Sequence, residues 1–151
     1  MSLGLAFHIL AAVIWVGGMF FAHMVLRPSA GLLDSPTRLA LWERVLGRFF
    51  LWVWASIAAL LVSGFAMVMI GFGGFATLGH YINVMMALGI IMMLIFAHVY
   101  FGPWTRFRRA VAAANWTEAE RNIRQIRMLV MVNLVLGLVT VVVGASGRYV
   151  G

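Results

Sequence analysis

The stretch FHILAAVIWVGGMFF, residues 7–21, is apolar at every position except His8. It lies within a longer, largely apolar run over residues 4–26, which exceeds the roughly 20 helical residues needed to cross a hydrocarbon core. Three further runs of this kind follow, over residues 47–71, 81–104 and 128–146. Only helices and closed barrels span lipid, and these runs are too long and too uniformly apolar for barrel strands. The sequence therefore predicts an all-α integral membrane protein with four transmembrane helices.

The composition agrees with a chain that uses the bilayer as its solvent. Of its 151 residues, 64% are hydrophobic and 10% are charged, whereas a soluble domain has about 25% charged residues. A chain this short cannot bury so much apolar surface in a soluble core. The absence of cysteine excludes disulfides, thiolate metal sites and Cys nucleophiles. With no internal repeat, the sequence predicts one domain over residues 1–151, surrounded by membrane lipid.

The basic residues, all of them arginines, cluster in two of the three connections. The first connection holds Arg27, Arg38, Arg44 and Arg48, and the third holds Arg106, Arg108, Arg109, Arg121, Arg124 and Arg127. The middle connection, GFGGFATLG at residues 71–79, has no charge. The positive-inside rule places the arginine-rich connections in the cytoplasm, where they meet anionic lipid rather than nucleic acid. We therefore expect an up-down bundle, N-out/C-out, with both termini periplasmic if the host is Gram-negative.

Two helices are expected to begin in the arginine-rich connections and to continue into spans. In DSPTRLALWER, residues 34–44, Asp34 or Ser35 is the predicted N-cap and Pro36 the first helical residue. In NWTEAERNIRQIR, residues 115–127, Thr117 and Glu120 have the spacing of a capping box.

The four histidines fall on the first and third predicted helices or at their ends. His8 and His80 lie toward the outer face, and His23 and His98 toward the inner face. His80 and His98 are eighteen residues apart, which is about five helical turns, so they share a face. Ionisable residues inside a membrane indicate function, and imidazoles from neighbouring helices bind haem or metal ions. We expect two pairs, His8 with His80 and His23 with His98; the alternative for each is an ordinary interfacial position.

Thioethers near these imidazoles favour copper over zinc. Met19 lies one helical turn before His23, and Met92 and Met93 lie on the third helix. The alternative is that these methionines only fill irregular gaps in the packing. Asn133, in the fourth predicted helix, is expected near the depth of His98, where it either orients an imidazole or forms an interhelical hydrogen bond.

Four segments resemble the small, single-domain members of the CopD family, bacterial inner-membrane proteins named for copper resistance protein D. They are FHILAAVIWVGGMFFAHMVLRP (7–28), RFFLWVWASIAALLVSG (48–64), FAHVYFGPWTRFRRAV (96–111) and IRMLVMVNLVLGLVTVVVGASGR (126–148). The resemblance covers nearly the whole chain and implies a location in the bacterial inner (plasma) membrane, with copper movement or copper delivery across it. It singles out His8, which is followed by six apolar residues, a Trp and a Gly-Gly pair.

The same opening, from His8 through Trp15 to Gly18, more distantly resembles HemJ-type proteins, four-helix membrane protoporphyrinogen oxidases that bind haem b. Those chains carry a Pro-Arg pair after the opening and a Lys in the third helix. This chain has His23 and Met24 at the first place and no Lys anywhere. The departure argues against the oxidase activity but not against haem binding.

We therefore expect a copper-handling membrane protein in which the outer His pair receives the ion and the inner pair holds or releases it. Met19, Met92 and Met93 are secondary candidates for the path. One alternative is a b-type cytochrome with haem between the first and third helices, for electron transfer or haem-linked oxidoreduction, so enzyme activity is left open. The other is an assembly subunit without a cofactor. A homo-oligomer, or a redox or copper-chaperone partner, is compatible with each of these three interpretations.

Overall fold

A computed structural model describes residues 2–150, apart from the side chains of Thr77, Arg148 and Val150, and those residues form no β-strand. Four helices are long and apolar enough to cross a membrane, and we call them the first to fourth spans: Ser2–Ala30, Ser35–Gly71, His80–Ala112 and Trp116–Gly147. The prediction of an all-α, four-helix transmembrane bundle is confirmed. Each helix is longer than its predicted apolar run because polar residues at the arginine-rich end continue the same helices.

The first span consists of α1 (Ser2–Phe21), a π-helical turn (Ala22–Leu26) and α2 (Arg27–Ala30). The second span consists of α3 (Ser35–Ala66) and another π-helical turn (Met67–Gly71), and a short 3-10 helix (Phe75–Thr77) follows it. The third span consists of α4 (His80–Phe101) and α5 (Pro103–Ala112), and the fourth lies in α6 (Trp116–Val150).

Gly102 and Pro103 divide the third span into two helices. Gly102 has φ −103° and ψ −101°, which is not helical, and Pro103 occupies the first turn of α5, where its missing N–H costs nothing. Helix α5 then buries Trp104 and Phe107 among the bundle residues. The predicted run over residues 81–104 therefore extends beyond the end of α4 at Phe101, and the Gly-Pro pair marks this helix end.

The spans pack as two antiparallel pairs, the first with the second and the third with the fourth. Aromatic side chains join the two pairs at the centre. The ring centroid of Phe50 lies 5.3 Å from that of Phe96 and 5.1 Å from that of Trp104, in edge-to-face contacts. Trp15 and Phe96 meet edge to face at 6.3 Å. Such pairs add about 0.5–1.5 kcal/mol each beyond the area that they bury, so the centre of the bundle is a packed aromatic core.

Two glycines allow the helices to approach closely. The ring of Phe49 lies where a Cβ would stand on Gly18. The Phe49 ring of the second span therefore packs directly against the backbone of the first span. A Cβ on Gly137 would lie 2.9 Å from Val16 and 3.1 Å from Met92. The missing Cβ therefore allows α6 to pack closely against both α1 and α4. Small residues at helix crossings are the usual means of tight packing in membranes.

The N-terminus of α3 follows the sequence prediction. Asp34 is the N-cap, and its side chain accepts a hydrogen bond from the backbone N–H of Thr37 at 3.4 Å. Hydrogen bonds from the side chain and backbone of Thr37 lower the pKa of the Asp34 carboxyl below its ordinary value. Helix α3 then runs unbroken into the second span, as predicted.

The predicted capping box at the start of α6 is wrong, although the helix does continue into the fourth span. Helix α6 begins at Trp116, and the Asn115 side chain accepts from the backbone N–H of Glu118 at 3.2 Å. Asparagine is at least as good an N-cap as the predicted Thr117. Glu120 binds Arg38 at 2.6 Å instead of closing a capping box, and so ties the second span to the fourth.

Candidate metal site

His8 is bound directly to the neighbouring helix. Its Nδ1 lies 2.9 Å from the hydroxyl oxygen of Ser63 on α3. A Cβ built on Gly64 would lie 3.6 Å from the Cε1 atom of His8, so the ring packs on a surface of small residues. Ser63 is buried and His8 is half-buried. The imidazole is therefore fixed in one place at the interface of the first and second spans.

The hydrogen bonds around Ser63 decide which nitrogen of His8 carries the proton. The Ser63 hydroxyl has one proton, and it donates that proton to the carbonyl of Ala59 at 2.5 Å. The Ser63 oxygen must then accept from the Nδ1–H of His8. The backbone carbonyl of Leu60 is a second, longer acceptor for the same hydroxyl, at 3.4 Å. In this arrangement Nδ1 carries the proton and Nε2 keeps the lone pair, which is how metal-binding histidines are usually held.

The structure adds Met67, a thioether that the sequence analysis did not single out, at the same interface. The Met67 Cγ atom lies 3.6 Å from the Cβ position of Gly4. Gly4 is one turn before His8, and Met67 is one turn after Ser63 on the antiparallel helix, so these contacts lie side by side. Imidazole and thioether together suit Cu(I). Only the register of the two helices places Met67 here, and no local sequence pattern marks it.

Met19 and Met92 lie in the core of the bundle, with 2% and 3% of their surface exposed. Asn133 of α6 adjoins Met92, since its Nδ2 donates to the backbone carbonyl of Met92 at 3.2 Å. The Asn133 Oδ1 atom is buried without a hydrogen-bond partner among the described residues, and Asn133 and Met19 line one small central cavity. The structure thus shows the interhelical hydrogen bond that was one of the two expectations for Asn133.

His80 and His98 are both exposed on the surface of α4. His80 is the first residue of that helix, and His98 lies one turn before its end. Neither side chain is enclosed by neighbouring helices, in contrast to His8. Sequence spacing showed that they share a face, but it did not show whether that face points inward or outward.

His23 lies in the π-helical turn of the first span and is half-buried. It lines a cleft with Trp42 of α3 and Arg127 of α6. Over residues 2–150, no three His, Asp or Glu side chains come together as a metal-binding group. The pairs of His8 with His80 and of His23 with His98 stay predictions.

Comparison with known proteins bears on the family of the chain. Residues 43–146, more than half of the chain, match the family model described as CopD, copper resistance protein D. The matched range includes Ser63, Met67, His80 and His98, whereas His8 lies before it. No curated protein and no solved structure matches the chain significantly. The match over residues 43–146 and the four membrane-spanning helices together show that this chain belongs to the CopD family, whose name relates it to copper resistance at a membrane.

Proposed function

We propose that this protein accepts a copper ion as Cu(I) at the outer end of its bundle and transports or delivers it across the bacterial inner membrane. The observation that carries the proposal is the His8–Ser63 hydrogen bond of 2.9 Å, which holds the ring through Nδ1, so that Nε2 is the nitrogen offered to the ion. The family match supports copper as the substrate. The arginine-rich connections support an orientation with both termini in the periplasm.

In the proposed first step, Nε2 of His8 and the thioether of Met67 take up the ion at the interface of the first two spans. His80 opens α4 at the same end of the bundle, and it is the further imidazole available there. Nitrogen and thioether ligands favour Cu(I) over harder divalent ions such as Mg²⁺ and Ca²⁺. This ligand set therefore gives selectivity without a carboxylate or a thiolate.

In the proposed second step, the ion passes the buried thioethers of Met19 and Met92 and the unpaired Oδ1 atom of Asn133. These groups are soft or neutral, so they accommodate a singly charged ion without an ionised carboxylate inside the membrane. His23 and His98 remain the candidates for the inner end. Because His98 is exposed on α4, a partner or a second copy of the chain has access to it.

The packing of the core favours copper over the haem alternative. Haem placed centrally between the first and third helices would need the space where Trp15, Phe96 and Phe50 are in ring contact. Trp15 and Phe50 are each only 2% exposed, so a porphyrin would have to displace a packed core. The contacts of His8 with Ser63 and Gly64, by contrast, hold a single ligand nitrogen without such displacement.

Copper uptake by proteoliposomes that contain a trapped Cu(I)-sensitive dye tests the proposal. We expect the wild-type protein to carry copper inward, His8→Ala to abolish this transport, and Met67→Leu to slow it. Met69→Leu is the matched control, because Met69 lies in the same π-helical turn but is exposed. An absorption spectrum of the same preparation tests haem: a Soret band with sharp bands in the reduced state would overturn the copper proposal, as would unchanged transport by His8→Ala.

A further inference from the structure

A cleft at the arginine-rich end of the bundle has a composition that copper binding does not explain. It lies between the first span, α3 and α6, and its polar lining consists of His23, Arg27, Trp42 and Arg127. The remaining walls are aliphatic: Ala22, Leu46, Ile123, Ile126 and Val130. The lining includes no carboxylate. Its charge is therefore positive, and its walls are apolar.

Two buried donors in this cleft have no acceptor among the described residues. They are the indole Nε1 of Trp42, a residue only 4% exposed, and the Nε of Arg127. The guanidinium carbon of Arg127 lies 5.9 Å from the centre of the Trp42 ring, so both donors belong to one small region. Buried N–H groups are nearly always hydrogen-bonded. Since both unpaired atoms are donors, the group that satisfies them is an acceptor.

The charges around the cleft favour an anion as that acceptor. Arg27 and Arg127 are close enough to repel each other. Glu120 attracts Arg127, but it already accepts hydrogen bonds from Arg38 at 2.6 Å and from Ser35 at 2.9 Å. The guanidinium pair of the cleft is thus left without a full counter-charge. Arginine binds phosphate oxygens through its fork of N–H donors better than any other side chain.

The membrane-facing side of the cleft indicates that the anion carries acyl chains. The first span changes from α- to π-helix over Ala22–Leu26, next to the cleft, and π-turns often mark functional sites. Met24 and Val25 of this turn are exposed, as expected for residues that face lipid tails. A phosphate that enters past these residues leaves its attached chains in the hydrocarbon layer.

We propose that this cleft binds the phosphate group of an anionic phospholipid, with Arg27 and Arg127 on the phosphate oxygens and the indole N–H of Trp42 as a third donor. Basic pockets between transmembrane helices are a known way to hold lipid headgroups. The proposal does not rest on copper transport, because it uses neither His8 nor Met67 and assigns no role to His23, the one copper candidate in the lining. It assigns the cleft a resident lipid that joins the first span to α3 and α6.

Titration of the full-length protein in detergent with phosphatidylglycerol, followed by native mass spectrometry, tests this assignment. We expect Arg127→Gln to bind the lipid about tenfold more weakly, because a charge-assisted contact is lost. Trp42→Phe keeps the ring and removes only the donor, and we expect about threefold weaker binding. Arg109→Gln is the matched control, since Arg109 is exposed on α5 and its replacement removes the same charge; its affinity should equal that of the wild-type protein.

Any one of the following results would overturn the proposal. Equal binding of phosphatidylcholine would show that the cleft does not select an anion. An equal loss in Arg109→Gln would show that net charge, and not the cleft, attracts the lipid. Competition by inorganic phosphate at concentrations equal to those of the lipid would show that the site takes free phosphate. Unchanged lipid affinity in Arg127→Gln would overturn it as well. Should that variant fail to fold, unchanged lipid affinity in Trp42→Phe would do so instead.

Discussion

Replacing Ser63 by alanine removes the group that holds His8 while leaving the imidazole itself in place. The Nδ1–H of His8 then loses its acceptor at 2.9 Å, and the ring is free to adopt the other tautomer or to rotate. The bond from Ser63 to the Ala59 carbonyl is also lost, but that carbonyl keeps its backbone partner within α3. The change therefore acts on the orientation of the ligand and very little on the helix.

The size of the effect follows from these contacts. Removing a group that orients a metal ligand weakens metal binding by about 10- to 100-fold. Because the ring would still lie beside Gly64, where a Cβ would stand 3.6 Å from its Cε1 atom, we expect the lower end, about tenfold, or about 1.4 kcal/mol. An interhelical hydrogen bond in a membrane contributes only about 0.6 kcal/mol to stability. The loss in the free energy of copper binding should thus exceed the loss in the free energy of unfolding.

Competition between the purified protein and a chromogenic Cu(I) chelator measures the affinity. Ser146→Ala is the matched control: its hydroxyl donates to the carbonyl four residues earlier at 2.6 Å, as that of Ser63 does, but no histidine contacts it. We expect Ser146→Ala to bind copper like the wild-type protein. If Ser63→Ala retains the wild-type affinity while His8→Ala loses it, the hydrogen bond does not orient the ligand and our reasoning fails.

Two further predictions concern the stability of the helices in detergent. Gly18→Ala forces the Phe49 ring to move and should lower the free energy of unfolding by about 1–3 kcal/mol; Gly17→Ala is its control, since a Cβ there meets nothing within 4 Å, and an equal loss in both would refute the packing argument. Because Thr37 lowers the pKa of Asp34, the cap of α3 is complete at neutral pH and is lost as the pH falls through that lowered pKa. Asp34→Asn keeps a cap but has no charge to titrate, so the fall of the unfolding temperature in acid should become smaller; the part that remains belongs to other carboxylates such as Glu120, which is paired with Arg38, and an unchanged acid profile would show that the cap does not contribute.

The sequence was sufficient to predict the spans because a single physical rule decides them: apolar length against bilayer thickness. The start of α3 was also predictable, since Asp34 and Pro36 are local signals that act on their own backbone. The start of α6 was not, because Asn115 and Thr117 are both good caps and Glu120 is drawn away by Arg38, a residue distant in the chain.

The candidate metal site was only half predictable. His8 stood out as a lone imidazole in an apolar helix, and the structure gives it a hydrogen-bond partner. Met67 did not stand out among eleven methionines, since its value depends on the register of two antiparallel helices. Helical periodicity placed His80 and His98 on one face, but the face that a helix buries is decided by its neighbours, and here both residues are exposed.

The division of the bundle into two helix pairs has a consequence for how the protein is made. His8, Ser63 and Met67 all belong to the first pair, so the ligand geometry depends on no contact from the third or fourth span. The uncharged connection between the pairs, which includes the short helix Phe75–Thr77, is then a natural place to divide the chain. Two fragments expressed separately and divided there should reassemble through the aromatic core, and the first fragment alone should already bind Cu(I); failure of that fragment to bind copper would show that the second pair completes the site.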